Sequence, residues 1–189
     1  MTRSRCLTGL DLLCQSLWLA VVVAGGLSAA TVFTTLPPLE PQIIGYEIDD
    51  VEMRGRLAAG LVTQPLFELA DIVQLILFPL AIVIIIAQRI SGLLDRHSAS
   101  QWIRIICIGL AGTFLVARFV FVNPPMHAHL DGYRDAARAG DLESARSKQT
   151  SFNEWHHTAE RLWGLTGLCL IVSIAATGVS LAPRSKPSS

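Results

Sequence analysis

The chain has 189 residues, of which 51% are hydrophobic and 16% charged, with 15 basic residues against 15 acidic ones. Soluble domains carry roughly 25% charged residues, so this composition, with a mean hydropathy of +0.48, excludes an ordinary soluble domain. Zero net charge without a basic stripe excludes a nucleic-acid binder, and the length suits a single domain.

In chain order, the first apolar run covers residues 12–34, after Arg3 and Arg5. It outruns the roughly 7–15-residue apolar region of a secretory signal, so a retained helix is expected. Asp49 or Asp50 can cap a short amphipathic helix through "VEMRGRLAAGLV", which Pro65 is expected to separate from the second run, residues 66–88. A short loop leads to the third run, 102–122, which "NPP" at Asn123–Pro125 is expected to stop. "HAHLDGYRDAARA" reads as a helix ended by Gly140. Ser151 and Glu154 have the spacing of a capping box, so the fourth run, about 160–182, is expected to begin outside the membrane and run inward unbroken.

Each run has about the 20 residues that a helix needs to cross a hydrocarbon core of roughly 30 Å. Lipid cannot satisfy free peptide groups, so the runs must be helical. The expected fold is an all-α, antiparallel bundle of four transmembrane helices with amphipathic outer-loop helices, forming one integral membrane domain. Basic residues flank one set of ends: Arg3, Arg5, Arg89, Arg96, Arg184 and Lys186. That bias places both termini in the cytoplasm, most naturally of a bacterial cytoplasmic membrane.

Polar residues inside these runs mark a candidate site. Gln64, Glu68 and Asp71 share an arc of about 60° on the second helix, with Gln74 beside it. Arg118 lies at the depth of Asp71 on the third helix, which should be an antiparallel neighbour of the second. Arg118 is therefore expected to pair with Asp71, Glu68 or both. His156, His157 and Glu160 enter the same layer from the fourth helix, with His127 and His129 in the loop overhead. One end of the bundle would then be ionisable and the other plain.

These residues leave two readings open. They form either a structural ion pair with interfacial anchors, or an ion site in which His156, His157, His127 and His129 are candidate metal ligands beside the carboxylates. The four cysteines, Cys6, Cys14, Cys107 and Cys169, have no C-x-x-C spacing and read as small buried hydrophobes. No G-x-S-x-G, H-E-x-x-H or phosphate loop occurs, so neither an enzyme nor a cofactor is expected.

Three stretches carry a family resemblance: "TTLP" after the first run, "AAGLVTQPLF" before the second, and "NPP" followed by "FNEWHH" before the fourth. They resemble a little-characterised family of four-helix membrane proteins, a domain of unknown function. Its vertebrate member, a transmembrane protein of secretory membranes, is associated with cisplatin resistance. Some bacterial relatives are placed near copper-resistance membrane proteins. Phe152 and His156 match the family's F-x-x-x-H, and Asn123 and Pro124 its Asn-Pro. Ala159 and Trp163 stand where a small polar residue and an asparagine usually follow.

The resemblance implies a four-span membrane protein linked to metal or drug-stress handling. Beside it stand two other readings: a structural or assembly subunit docking a membrane partner or a second copy, and a solute or proton carrier using Glu68, Asp71 and Arg118. The bilayer is the one partner the residues themselves require.

Overall fold

A computed structural model describes residues 2–46, 48, 50–93 and 98–181. Asp49, Arg96, Arg184, Lys186 and residue 182 at the end of the fourth run, which entered the reading above, lie outside the described residues. The described residues form five α-helices: α1 (Thr2–Thr35), α2 (Val51–Ile90), α3 (Ala99–Ala117), α4 (Asn123–Arg138) and α5 (Leu142–Leu181). A 3-10 turn (Pro37–Leu39) follows α1, and a π-helical turn (Arg118–Val122) joins α3 to α4. No strand occurs among the described residues.

Among the described residues, four helices are long and apolar enough to cross a membrane: α1, α2, the continuous α3–α4 rod and α5. The chain is an all-α four-helix bundle of the kind that spans a bilayer. At 1.5 Å per residue, the rods beginning at Val51, Ala99 and Leu142 are each about 60 Å long, roughly twice a hydrocarbon core. The excess forms a helical cap at the end away from the termini. Its core is separate from that of the bundle, with Ile48, Met53, Leu57, Tyr133, Ala137 and Ala145 at its centre.

Two expected breaks do not occur. Pro65 lies inside α2, which runs without interruption from Val51. Proline removes one intrahelical bond, but buried side chains hold the rod on both sides of it: Leu57, Ala58, Ala59 and Thr63 before, Ala70 and Gln74 after. At Asn123–Pro125 the chain does not stop either. The Asn123 N–H reaches back to the Arg118 carbonyl, and this wider π-type turn eases the clash a proline ring has with the turn before it. The prolines then occupy the first turn of α4, where a missing N–H costs little. His127 and His129 are consequently helical, not in a loop.

Local chemistry sets the real boundaries. Asp50 caps α2, its Oδ1 accepting the Met53 N–H at 3.0 Å. That bond holds the carboxyl below the usual aspartate range. Gly140, at φ 71°, closes α4 while the Asp141 N–H bonds the Ala136 carbonyl at 3.0 Å. Asp141 Oδ1 then accepts the Ser144 N–H at 3.1 Å and starts α5. Helix α5 is thus under way before Ser151, so the Ser151–Glu154 spacing is not a cap. Ser151 Oγ donates instead to the Ser147 carbonyl. As expected, this helix continues into its spanning portion without a break.

Within the bundle, α1 packs most closely on α2 and α3 on α5, while the α2–α3 seam is the wider one. Short connection did not make α2 and α3 the tightest pair. Large side chains bridge their seam: Phe78 of α2 lies so close to Gly112 of α3 that an added Cβ there would come within 2.0 Å of its ring. Where small residues permit close approach, the contact is specific. A Cβ on Gly25 would meet Trp163 at 2.8 Å, and one on Gly55 would meet the Pro37 Cα at 2.6 Å. Gly26 and Gly109 have nothing within 4 Å of that position.

Candidate functional site

At the cap end of the bundle, α2 supplies Asp71 and the π turn supplies Arg118, which form the expected ion pair. The Arg118 side chain is nearly buried and that of Asp71 is 17% exposed. Trp163 of α5 completes the site: the guanidinium lies 4.3 Å from its ring centroid, and its Nε1–H donates to the Val22 carbonyl of α1 at 2.9 Å. Four helices therefore meet around one cation, held by a carboxylate and an aromatic face.

Glu68 takes no part in that pair. It is exposed and accepts from Gln64 Nε2 at 2.7 Å, while Gln64 Oε1 accepts from Arg134 Nη2 of α4 at 2.6 Å. The expected polar stripe splits, with Asp71 facing the bundle and Gln64 and Glu68 facing the cap.

A third group lies on α5 outside the spanning portion. Glu160 bridges two imidazoles, His156 Nε2 at 3.2 Å and His157 Nδ1 at 3.0 Å. The His156 ring stacks on Phe152 with centroids 5.3 Å apart. Burial pushes His156 below its ordinary value, against the opposing pull of Glu160. The six residues singled out from the sequence thus fall into three separate groups. Among the described residues, no three His, Cys, Asp or Glu side chains are placed to hold a metal ion.

The opposite end, expected to be plain, is not. Asp11 of α1 and Arg104 of α3 form an ion pair at 3.1 Å, with side-chain exposures of 0% and 5%. Arg104 Nη2 also donates to Gln88 Oε1 of α2 at 2.5 Å, and Gln88 Nε2 donates to the Leu7 carbonyl at 3.2 Å. Gln15 lies one turn beyond Asp11 and is fully buried. Depth arithmetic could have found this cluster: Asp11 and Arg104 flank parallel spans at equal height, and Gln88 ends the span between them. The sequence reading singled out none of the three.

Between the two ends, Trp18 Nε1–H donates to Gln74 Oε1 at 3.2 Å, and Trp18, Leu77, Ile108, Ala111, Leu115 and Leu170 form an apolar midsection. Cys14 is buried at the margin of this midsection, one turn from Asp11, whereas Cys6 is exposed and Cys107 and Cys169 are half-buried; all four are free thiols. Comparison with known proteins finds no matching family model, no matching curated protein and no matching solved structure.

Proposed function

We propose that this chain is a non-catalytic integral membrane protein that acts as an assembly subunit, presenting its helical cap to a partner outside the bilayer. The observation that carries this reading is the cap itself. Three of the four spanning rods continue about 30 Å past a hydrocarbon core and are fixed there by a core of their own around Met53, Leu57 and Tyr133. A bundle that needed only to fill the membrane would close its turns at the surface.

The cap also offers something to recognise. Asp50, Glu52, Arg56 and Arg146, with Gln149 and Asn153, line a polar cleft, and Arg146 Nη2 reaches Asp50 Oδ2 at 3.3 Å. Both charge signs side by side suit a partner segment that carries both. The basic flank of Arg3, Arg5 and Arg89 favours a bacterial cytoplasmic membrane with both termini in the cytoplasm, which puts the cap on the outer side. A metal or drug-stress role follows from the family resemblance alone. A carrier role for Glu68, Asp71 and Arg118 is less favoured, because Glu68 is turned away from that pair.

Native mass spectrometry of the full chain, extracted in mild detergent from its own membranes, tests the assembly reading. A stoichiometric complex, with another protein or a second copy, should dissociate in the double variant Arg56→Glu, Arg146→Glu while helical content is retained. A monomer in every preparation, or a complex indifferent to these changes, refutes it.

A further inference from the structure

The apolar midsection gives way, toward the α2–α3 turn, to a layer of different character. Asp11, Gln15 and Ser173 are fully buried there and Arg104 nearly so. The Gln15 amide lies against the Asp11 carboxylate, and Gln15 Oε1, Arg104 Nε and Ser173 Oγ make no hydrogen bond within the described residues. Three helices contribute them.

Chain geometry places Gln15 and Ser173 at one height, with Asp11 and Arg104 about one turn further toward the α2–α3 turn. Val22 of α1 faces Trp163 and Gly167 of α5, and the two helices run in opposite directions. Moving seven residues back along α1 reaches Gln15, and six forward along α5 reaches Ser173, a descent of about 10 Å in each case. Leu170 packs in the cluster that holds Cys14 and Trp18, which fixes Ser173 one turn beyond it. Ser173 is also unusual for its helix. Thr158, Thr166 and Thr177 each return their hydroxyl to a carbonyl four residues earlier, whereas the Ser173 hydroxyl is not returned to its own helix.

Native interiors nearly always supply a partner for a buried polar atom, from protein or from ordered water. The charges here decide which kind of ligand fits. Asp11 and Arg104 already offset each other, so an added cation meets the guanidinium and an added anion meets the carboxylate. A neutral ligand is opposed by neither. An acceptor (Gln15 Oε1) and a donor (Arg104 Nε) occur together with a hydroxyl that can do either (Ser173 Oγ). Water, which both donates and accepts twice, complements that set.

We propose that this layer is a built water-binding site, so that the bundle is hydrated inside at the end bearing the α2–α3 turn and dry through its midsection. X-ray radiolytic footprinting of the full chain in detergent tests it, because hydroxyl radicals formed at bound water oxidise the side chains beside them. Cys14, 2% exposed and one turn from Asp11, should be oxidised despite its burial. In the double variant Gln15→Met, Ser173→Ala that labelling should fall several-fold. Thermal unfolding gives an independent sign. Ser173→Ala should lower Tm by roughly 2–4 °C if its hydroxyl holds water, and raise it if the hydroxyl is unpaired in a dry core. Protection of Cys14 in the unmodified chain, or a rise in Tm for Ser173→Ala, overturns the proposal.

Discussion

Two Asp–Arg pairs join α3 or its π extension to the other helices, one at each end of the bundle, and they are built differently. Asp71–Arg118 sits beside the cap, where the carboxylate keeps some access to solvent and Trp163 shares the cation. Asp11–Arg104 has no such access, and its arginine depends on Gln88 for a second partner. A buried pair gains little over an apolar substitute, yet breaking it by removing one member is costly because the other charge stays buried. The outer pair can shed part of that cost into bulk solvent; the inner pair, at 0% and 5% exposure, has no path to it and only the water of its own layer. Equal chemistry at two depths should therefore give unequal sensitivity to mutation.

The largest expected effect is at the inner pair. Arg104→Met strands the Asp11 carboxylate and should cost roughly 3–5 kcal/mol, read as a loss of folded protein in detergent thermal unfolding. Arg118→Met should cost about 2 kcal/mol or less, because Asp71 can rehydrate. Equal losses would erase the distinction.

Gly112→Ala probes the α2–α3 seam, which Asp71–Arg118 bridges at one end and Gln88–Arg104 at the other. Its new methyl would strike the Phe78 ring, roughly midway between the pairs, and overpacking of this kind costs about 1–3 kcal/mol. Phe78→Leu in the same chain should recover part of the loss. Failure to recover any would place the strain elsewhere.

Arg118→Lys separates charge from shape at the outer pair. The positive charge remains, but the planar group facing both Asp71 and Trp163 is lost, with an expected cost of about 1 kcal/mol. Thermal unfolding beside Arg118→Met checks whether lysine recovers most of the stability.

The smallest effect concerns pH and only the cap end. His156 has a folded value below its ordinary 6.5, so it binds its proton less readily folded than unfolded. The associated stability is fully present above about pH 6.5 and is lost as pH falls through the folded value. His156→Gln should flatten this decline in Tm without altering Tm near pH 8. An unchanged slope would assign the decline to other groups.

The sequence made the fold legible because apolar run length is a strong, local signal. It made Asp71–Arg118 legible because both residues interrupt such runs and lie at matching depths. Asp11 and Arg104 were hidden by their places at the edges of runs, where charges ordinarily reach the interface. Here α1 begins well before its run, and Arg104 is enclosed by Gln88 of α2 and Asp11 of α1, which draws those edges into the interior. The continuity at Pro65 and Asn123–Pro125 was hidden for a related reason. Proline's cost is local and readable, whereas the cap packing around Leu57, Ala59 and Tyr133 is long-range. The three-way split of Glu68, Asp71 and the histidines depends on rotamers and on Arg134 arriving from α4, neither of which spacing encodes.

The central claim is that the bundle is pinned by charge at both ends, more tightly at the buried one. Paired double-mutant cycles test it most directly, with Asp11→Asn and Arg104→Met in one and Asp71→Asn and Arg118→Met in the other, all read by unfolding in the same detergent. The account predicts a favourable coupling energy in both cycles, larger for Asp11 with Arg104. Additive losses in the Asp11–Arg104 cycle, or a larger coupling for Asp71 with Arg118, would contradict it.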